Sequence, residues 1–171
     1  MMRISKLLCK SFALLSLLFI ACSNTDDIQQ KVTEIDASQL KVRDPFIFYD
    51  ADTDYYYLHV NGTLKVKSYK SKDLLTWQEN GYSFLPSAGF WGKEDFWAPD
   101  FYKYKDKYYL FITLSAPGVK RGTSVLVSDR VTGTFQPLVN APVTPQEWTC
   151  LDGSLYVDSE GIPWIFYCRE W

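Results

Sequence analysis

The sequence has few of the residues that build metal centres and no long apolar segment. One histidine and four cysteines stand among its 171 residues, which makes a zinc site of cysteines and histidines unpromising. Its main apolar run, residues 11–21, is about half the ~20 residues that a membrane-spanning helix needs. Beyond that run, no stretch shows the 3.6-residue hydrophobic period of an amphipathic helix. These shortages disfavour a metal centre, an integral membrane protein and a helical fold.

Positive charge is also scarce once the N-terminus is set aside. Arg3, Lys6 and Lys10 precede the apolar run, which is the layout of a secretory signal, so we predict that residues 1–21 are removed on export. Removing those three from the 18 Lys and Arg leaves 15 against 20 Asp and Glu, a net charge of −5. A nucleic-acid partner, which would require a basic patch, is not expected.

The signal ends in FIAC, which resembles the processing site of bacterial lipoproteins. This predicts that Cys22 becomes an acylated first residue and attaches the protein to a membrane in the cell envelope. An ordinary cleaved signal without a lipid is the alternative. The polar stretch SNTDDIQQ follows, and we predict that residues 22–40 form a tether between the anchor and a folded domain.

Two further cysteines, Cys150 and Cys168, flank a predicted hairpin turn, DSEG. Residue numbers that face each other across that turn sum to about 319, and those of the two cysteines sum to 318. A cross-strand disulfide is therefore feasible in an oxidising compartment. Two buried free thiols are the alternative.

Three segments of the chain repeat one pattern at a fixed interval. DPFIFYD starts at Asp44, APDFYKY at Ala98 and DGSLYVD at Asp152, so successive starts are 54 residues apart. Each copy is followed by a second apolar run, as in a strand–turn–strand unit. A period of this length with about four short strands per unit is typical of a β-propeller blade. The register also places carboxylates at equivalent points, with Asp100 at the third position of the middle copy.

The alternation of apolar and polar residues predicts an all-β fold in which residues 41–171 form about two and a half blades. A ring of five such units would need roughly 270 residues. Aromatic residues make up 17% of the chain, which suits a β-rich core, a surface on which sugar rings stack, or both. The predicted strands are 46–49, 55–60, 63–68 and a fourth after SKDLLTWQE in the first unit; 101–104, 108–113, 124–128 and a fourth after DRVTGTFQPL in the second; and 153–157 and 163–168 in the third.

Four segments, RDPFIFYD, SKDLLTW, WAPDFYKYKDKYYLF and LDGSLYVDSEG, together resemble glycoside hydrolase family 43. The resemblance covers about residues 42–171. Members of that family are five-bladed β-propellers that act on arabinose- and xylose-containing polysaccharides. It therefore implies a carbohydrate substrate and no cofactor, although the central channel of a complete propeller leaves room for an ion.

The resemblance also implies roles for three carboxylates. Asp44, in RDPF, matches the general base that activates water to attack the anomeric carbon. Asp152, in LDGS, matches the aspartate that tunes the pKa of the general acid and orients it. Asp100, in WAPD, matches an acidic position beside the pocket and would support substrate binding. Gly153 stands where the family usually has proline, and we expect it to loosen the turn while keeping the carboxylate.

Several of these residues also have structural interpretations. Asp44 precedes a proline and could act as a turn residue at the start of a strand. Asp100 could serve only as a structural hydrogen-bond partner. Trp91 and Trp97 could line a sugar subsite or pack between blades. Glu170, which would return to the same end of the hairpin as Asp152, is expected to have no catalytic role. His59 is expected to be structural, and the alternative that the resemblance implies is a histidine near a central ion.

The family places its general acid in a later blade, beyond Trp171. An inverting glycosidase needs an acid and a base ~6.5–9.5 Å apart on opposite sides of the bond, and losing the acid costs on the order of 10²–10⁴-fold in rate. We therefore expect an inverting glycosidase whose present chain alone is inactive. A related propeller enzyme for other sugars and a non-catalytic sugar-binding lipoprotein are the alternatives.

Overall fold

The computed structural model describes residues 33–171, so the predicted signal, Cys22 and most of the predicted tether lie outside the described residues. Within this range the chain forms strands and one short 3₁₀ helix, Ala37–Gln39, which confirms the all-β prediction. No helix of the described part is long and apolar enough to cross a bilayer. The strands are β1 (Glu34–Asp36), β2 (Phe46–Asp50), β3 (Tyr55–Gly62), β4 (Lys65–Ser71), β5 (Thr76–Phe84), β6 (Glu94–Tyr104), β7 (Lys107–Ala116), β8 (Val119–Ser128), β9 (Gln136–Pro137), β10 (Thr149–Val157) and β11 (Pro163–Glu170).

These strands form three antiparallel sheets that coincide with the three copies of the repeat. Their orders are β1-β5-β4-β3-β2, β6-β7-β8-β9 and β10-β11. Apart from β1, strands that follow each other in the chain pair with each other, which is the meander of a propeller blade. We call the three sheets blades one, two and three.

The sequence prediction placed the start of β6 too late. The strand begins at Glu94 and continues through Pro99, whereas the prediction began at residue 101. Proline normally interrupts a ladder because it has no N–H to donate. Here β6 shifts register twice, between Asp95 and Trp97 and between Trp97 and Asp100, so Pro99 lies in a bulge that does not need that donor.

The predicted tether also ends earlier than expected. Within residues 22–40, β1 pairs with β5 at the outer edge of blade one, with Ile35 opposite Trp77. Ile35 and Leu40 pack against the buried cluster that contains Trp77. The folded domain therefore begins near Glu34 rather than at residue 41, because these apolar side chains cover an edge strand that would otherwise be open.

The main hydrophobic core lies between blades one and two and is largely aromatic. Phe101 has no exposed surface, and its ring centroid is 5.0 Å from that of Phe48 and 5.5 Å from that of Phe135. Burying each such side chain contributes about 1.5–3 kcal/mol. The Tyr108 hydroxyl donates to buried Asp50 at 2.8 Å and links the two blades further. Much of the aromatic content thus serves blade packing.

Blades one and two each have a pair of buried polar side chains on the face that packs against the following blade. In blade one it is His59 and Ser68, and in blade two it is Thr113 and Thr123; the members of each pair are cross-strand neighbours. All four side chains are almost fully buried. Polar groups are costly to bury. The presence of such a pair at the same place in both blades therefore indicates that the paired side chains have a specific role.

His59 is structural, as the sequence suggested. Its ring stacks on Phe101 with centroids 4.2 Å apart, and its Nδ1 lies 2.7 Å from the Ser83 hydroxyl. Burial lowers the pKa of His59 to about 3. The imidazole is therefore neutral in the folded protein at any ordinary pH.

The feasible disulfide between Cys150 and Cys168 is not present in the structure. Cys150 faces Arg169 and Cys168 faces Leu151, so paired numbers sum to 319 and the two cysteines miss each other by one residue. Because successive side chains in a strand point to opposite faces, one residue of offset separates them. Both are free thiols, Cys150 buried and Cys168 exposed, so the alternative of two buried thiols holds only for Cys150.

The burial of His59 predicts that the protein loses stability on acidification at pH values well above those at which carboxylates are protonated. The unfolded chain protonates this histidine near pH 6.5 and the folded chain only near pH 3. Its contribution to stability is therefore complete above pH 6.5 and is lost as the pH falls towards 3. Between pH 7 and pH 5 the free energy of unfolding should fall by about 2 kcal/mol, measured by urea denaturation. His59→Gln, which cannot be protonated, should remove this fall; an equal fall in both proteins would contradict the assignment.

Candidate active site

The three positions that begin the repeat share an unusual backbone conformation. Asp44, Ala98 and Asp152 have φ values of 49°, 43° and 53°, in the left-handed region that non-glycine residues rarely adopt. In blades two and three this residue is part of a bulge, in which two residues of the first strand oppose one of the second. The 54-residue period therefore marks a recurrent bulge as well as a recurrent strand. Left-handed residues of this kind are concentrated at functional sites.

Carboxylates from the three blades lie near enough to one another to affect each other's pKa, and we call them the carboxylate cluster. Burial raises the pKa of Asp152, and the carboxylates of Asp44 and Glu170 raise it further. Burial also raises the pKa of Asp100, and the charge on Asp152 adds to that effect. Asp44, whose side chain is about half exposed, has only an exposed ion pair with Arg43 at 3.4 Å. The structure thus gathers all three predicted acidic residues, and Glu170 joins them.

Asp100 is held by a neighbouring tyrosine. The Tyr102 hydroxyl donates to Oδ2 of Asp100 at 3.0 Å, which opposes the rise in the pKa of Asp100. Burial and the charge of Asp100 raise the pKa of Tyr102 to about 12, so the hydroxyl keeps its proton at neutral pH. The structural hydrogen bond proposed for Asp100 is therefore present within the carboxylate cluster.

Arg121 offsets part of this negative charge. Its Nε lies 3.1 Å from Asp95 and one terminal nitrogen lies 2.5 Å from Glu170, so it joins blade two to strand β11 of blade three. The guanidinium carbon also sits 4.3 Å from the centroid of the Trp97 ring. Because Arg121 pairs with Glu170, the latter is poorly suited to donate a proton. Sequence reasoning missed Arg121, since a lone arginine in a strand carries no recognisable motif.

The two predicted subsite tryptophans occupy different surroundings. Trp97 lies beside the carboxylate cluster, and its side chain remains exposed enough to contact a ligand. Trp91 instead packs against the core between blades one and two. Its indole N–H donates to the Ser124 hydroxyl at 2.7 Å and its backbone N–H to Asn140 at 3.0 Å. Trp91 therefore has the packing role that was its alternative.

Gly153 lies in close contact with a residue of blade two, which the sequence did not indicate. A Cβ atom added to it would lie 2.3 Å from the Thr123 hydroxyl oxygen and 2.6 Å from its methyl carbon. Glycine is thus required because blade three approaches blade two very closely at this point. The sequence could not reveal this contact, since Thr123 reads as an ordinary strand residue.

No metal centre is evident in the part of the chain that the structure describes. Within residues 33–171, no three side chains of His, Cys, Asp or Glu gather closely enough to ligate one ion. The functional groups gathered at the candidate site are carboxylates, a guanidinium and a tyrosine hydroxyl that keeps its proton.

The close contact at Gly153 predicts a large cost for the smallest side chain. Gly153→Ala should destabilise the chain by about 1–3 kcal/mol, because the methyl group overpacks against Thr123. Gly89→Ala is the matched control, since nothing lies within 4 Å of its added Cβ. Adding Thr123→Ala should recover part of the loss in a double-mutant cycle followed by thermal unfolding. Equal behaviour of Gly153→Ala and Gly89→Ala would contradict the close packing.

Comparison with known proteins places this geometry in a family. Residues 37–171 match the family model of the glycosyl hydrolases family 43. An endo-arabinase from Bacteroides thetaiotaomicron VPI-5482 is 60% identical, with a TM-score of 0.78 over 80% of this chain and 48% of that chain. An endo-1,4-beta-xylanase from the same organism is 27% identical, with a TM-score of 0.62 over 75% of this chain and 43% of that chain.

A curated relative has a related description. The extracellular exo-alpha-(1->5)-L-arabinofuranosidase ArbA of Cellvibrio japonicus is 25% identical over 151 residues, which cover 79% of this chain and 42% of the relative. The chain thus spans about half the length of the proteins it matches, or somewhat less. The five-bladed propeller prediction is confirmed, with this chain covering part of that fold. Since the family match runs from the 3₁₀ helix to Trp171 and includes all three copies of the repeat, the chain belongs to the glycosyl hydrolases family 43.

Proposed function

We propose that this chain supplies the general base and the pKa-tuning aspartate of an inverting glycoside hydrolase for arabinose- or xylose-containing polysaccharides. One observation carries the proposal. Asp44 and Asp152 occupy equivalent left-handed positions of separate blades, and they lie near enough for the charge of Asp44 to raise the pKa of Asp152. The 60% identity to an endo-arabinase favours arabinan over xylan as the substrate.

The surroundings of each carboxylate suit its proposed role. Asp44 is half exposed, so its carboxylate can reach a water molecule and accept the proton that this water releases on attacking the anomeric carbon. Asp152 is also exposed to solvent, and it lies near the carboxylates of Asp44 and Glu170. Its negative charge would raise the pKa of a general acid brought next to it and keep that acid protonated near neutral pH. The resemblance assigns that acid to a later blade.

Two other groups would bind the sugar. Trp97 offers a partly exposed indole whose orientation is fixed by Arg121, and such rings stack on the apolar faces of sugars. Asp100 would accept hydrogen bonds from sugar hydroxyls through the lone pairs not used by Tyr102. Because these groups need no acid to bind a sugar, a non-catalytic sugar-binding protein is the second candidate function. A related hydrolase for other sugars would differ in which oligosaccharide binds.

The proposal predicts binding without turnover for this chain. Arabino-oligosaccharides should bind measurably by calorimetry, and 4-nitrophenyl arabinofuranoside should release no nitrophenol above background, because the resemblance assigns the general acid to a later blade than the three that the structure describes. Asp44→Asn and Asp152→Asn should each weaken binding by about tenfold, as expected for loss of a charged hydrogen-bond partner. Asp106→Asn is the matched control, because Asp106 also has a left-handed backbone but lies in the turn between β6 and β7.

Three results would count against parts of the proposal. Robust turnover by the purified chain would overturn the expected inactivity. Equal binding by wild type, Asp44→Asn and Asp152→Asn would show that neither carboxylate contacts sugar. Tighter binding of xylo-oligosaccharides or galacto-oligosaccharides than of arabino-oligosaccharides would replace the preferred substrate.

We also propose that the protein is exported and attached to a membrane by a lipid on Cys22. The basic, apolar and FIAC segments support this proposal, as does the name of the relative from Cellvibrio japonicus, which describes it as extracellular. In a bacterial host fed radioactive palmitate, the wild-type chain and Cys150→Ser should be labelled and Cys22→Ser should not. An exported but unlabelled wild-type chain would favour the ordinary cleaved signal.

A further inference from the structure

Thr113 and Thr123 form a buried seat for the bulge that carries Asp152. They face each other across β7 and β8, and their residues are 1% and 0% exposed. Both point at blade three, because each contacts one residue of the bulge at Asp152 and Gly153. The seat is therefore part of blade two, while the residues that it holds belong to blade three.

Thr113 contacts the first bulge residue through a hydrogen bond. The backbone N–H of Asp152 donates to the Thr113 hydroxyl oxygen at 2.9 Å. A bulge removes its extra residue from the regular ladder, so the amide there needs a partner outside its own sheet. The left-handed conformation of Asp152 also needs support from its surroundings to persist. Thr113 supplies the acceptor.

Thr123 contacts the second bulge residue by shape alone. Gly153 lies so close to it that a Cβ atom would overlap the threonine side chain. The Thr123 hydroxyl oxygen is buried without a hydrogen-bond partner among the described residues. The two threonines therefore act differently: one holds the backbone of Asp152 by a directional bond, and the other limits how closely Gly153 approaches.

We propose that Thr113 is a positioning residue for the Asp152 carboxylate, through its hydrogen bond to the Asp152 amide. This inference rests on the proposed function, in which Asp152 must face the reacting sugar and the other carboxylates. The charged groups around Asp152 are Asp44 before β2, Asp100 on β6, Glu170 on β11 and, paired with Glu170, Arg121 on β8. Without the hydrogen bond the bulge relaxes, and the carboxylate moves away from these groups towards water.

The test compares two isosteric substitutions in the 171-residue chain. Thr113→Val removes the acceptor and keeps the side-chain shape, whereas Thr123→Val changes a hydroxyl that has no partner. In Thr113→Val the amide of Asp152 should exchange with solvent about 5–10-fold faster, as expected for loss of one hydrogen bond. The pKa of the Asp152 carboxyl, followed by NMR, should fall towards its ordinary value. Thr123→Val and the conservative variant Thr113→Ser should behave as wild type.

The outcomes separate positioning from general loosening of the fold. The proposal is overturned when Thr113→Val leaves both the exchange rate and the Asp152 titration unchanged, or when Thr123→Val alters them to the same extent. Thr113→Ala removes the same acceptor and replaces Thr113→Val if that variant does not fold. Both readouts are made without sugar, so a failure of arabino-oligosaccharide binding in wild type would refute the proposed function and leave the positioning result intact.

Discussion

The structure depends on how closely the bulge of one blade packs on the preceding blade. Blade three can approach blade two because Gly153 has no side chain and Thr113 offers an acceptor where the ladder of β10 is interrupted. That approach carries Asp152 towards Asp44 and Asp100. The carboxylate cluster thus results from blade packing, since no single sheet contains it. A shift of about an ångström at one bulge would alter the charge environment of every carboxylate in the cluster.

Much of the fold could be predicted from the sequence because its main features are local. Alternating apolar residues and a 54-residue interval indicate strands and blades without knowledge of their partners. The acidic residues Asp44, Asp100 and Asp152 were likewise predicted from their register. What could not be predicted depends on contacts between distant segments. Examples are the pairing of β1 with β5 and the ion pairs of Arg121 with both Asp95 and Glu170.

One error arises because a bulge changes the register of residues along a strand. Pro99 reads as the end of a strand, yet it continues β6 because the bulge spares its missing donor. The cysteine error has a different cause: the expected pairing sum of 319 holds there, but the numbers of Cys150 and Cys168 sum to 318, and in a strand one residue is the difference between two faces. Where function requires irregular backbone, the periodic patterns that make strands predictable are the ones that fail.

The contact between Gly153 and Thr123 has an evolutionary consequence. The two positions are 30 residues apart in the chain, but a side chain at one occupies the space of the side chain at the other. A larger residue at either position would overlap the other unless that other residue also changed. A homologue with proline at the first position should therefore have a smaller residue, or a displaced strand, at the second. In an alignment of homologues the residues at these two positions should therefore covary, so that a substitution at one is accompanied by a compensating substitution at the other.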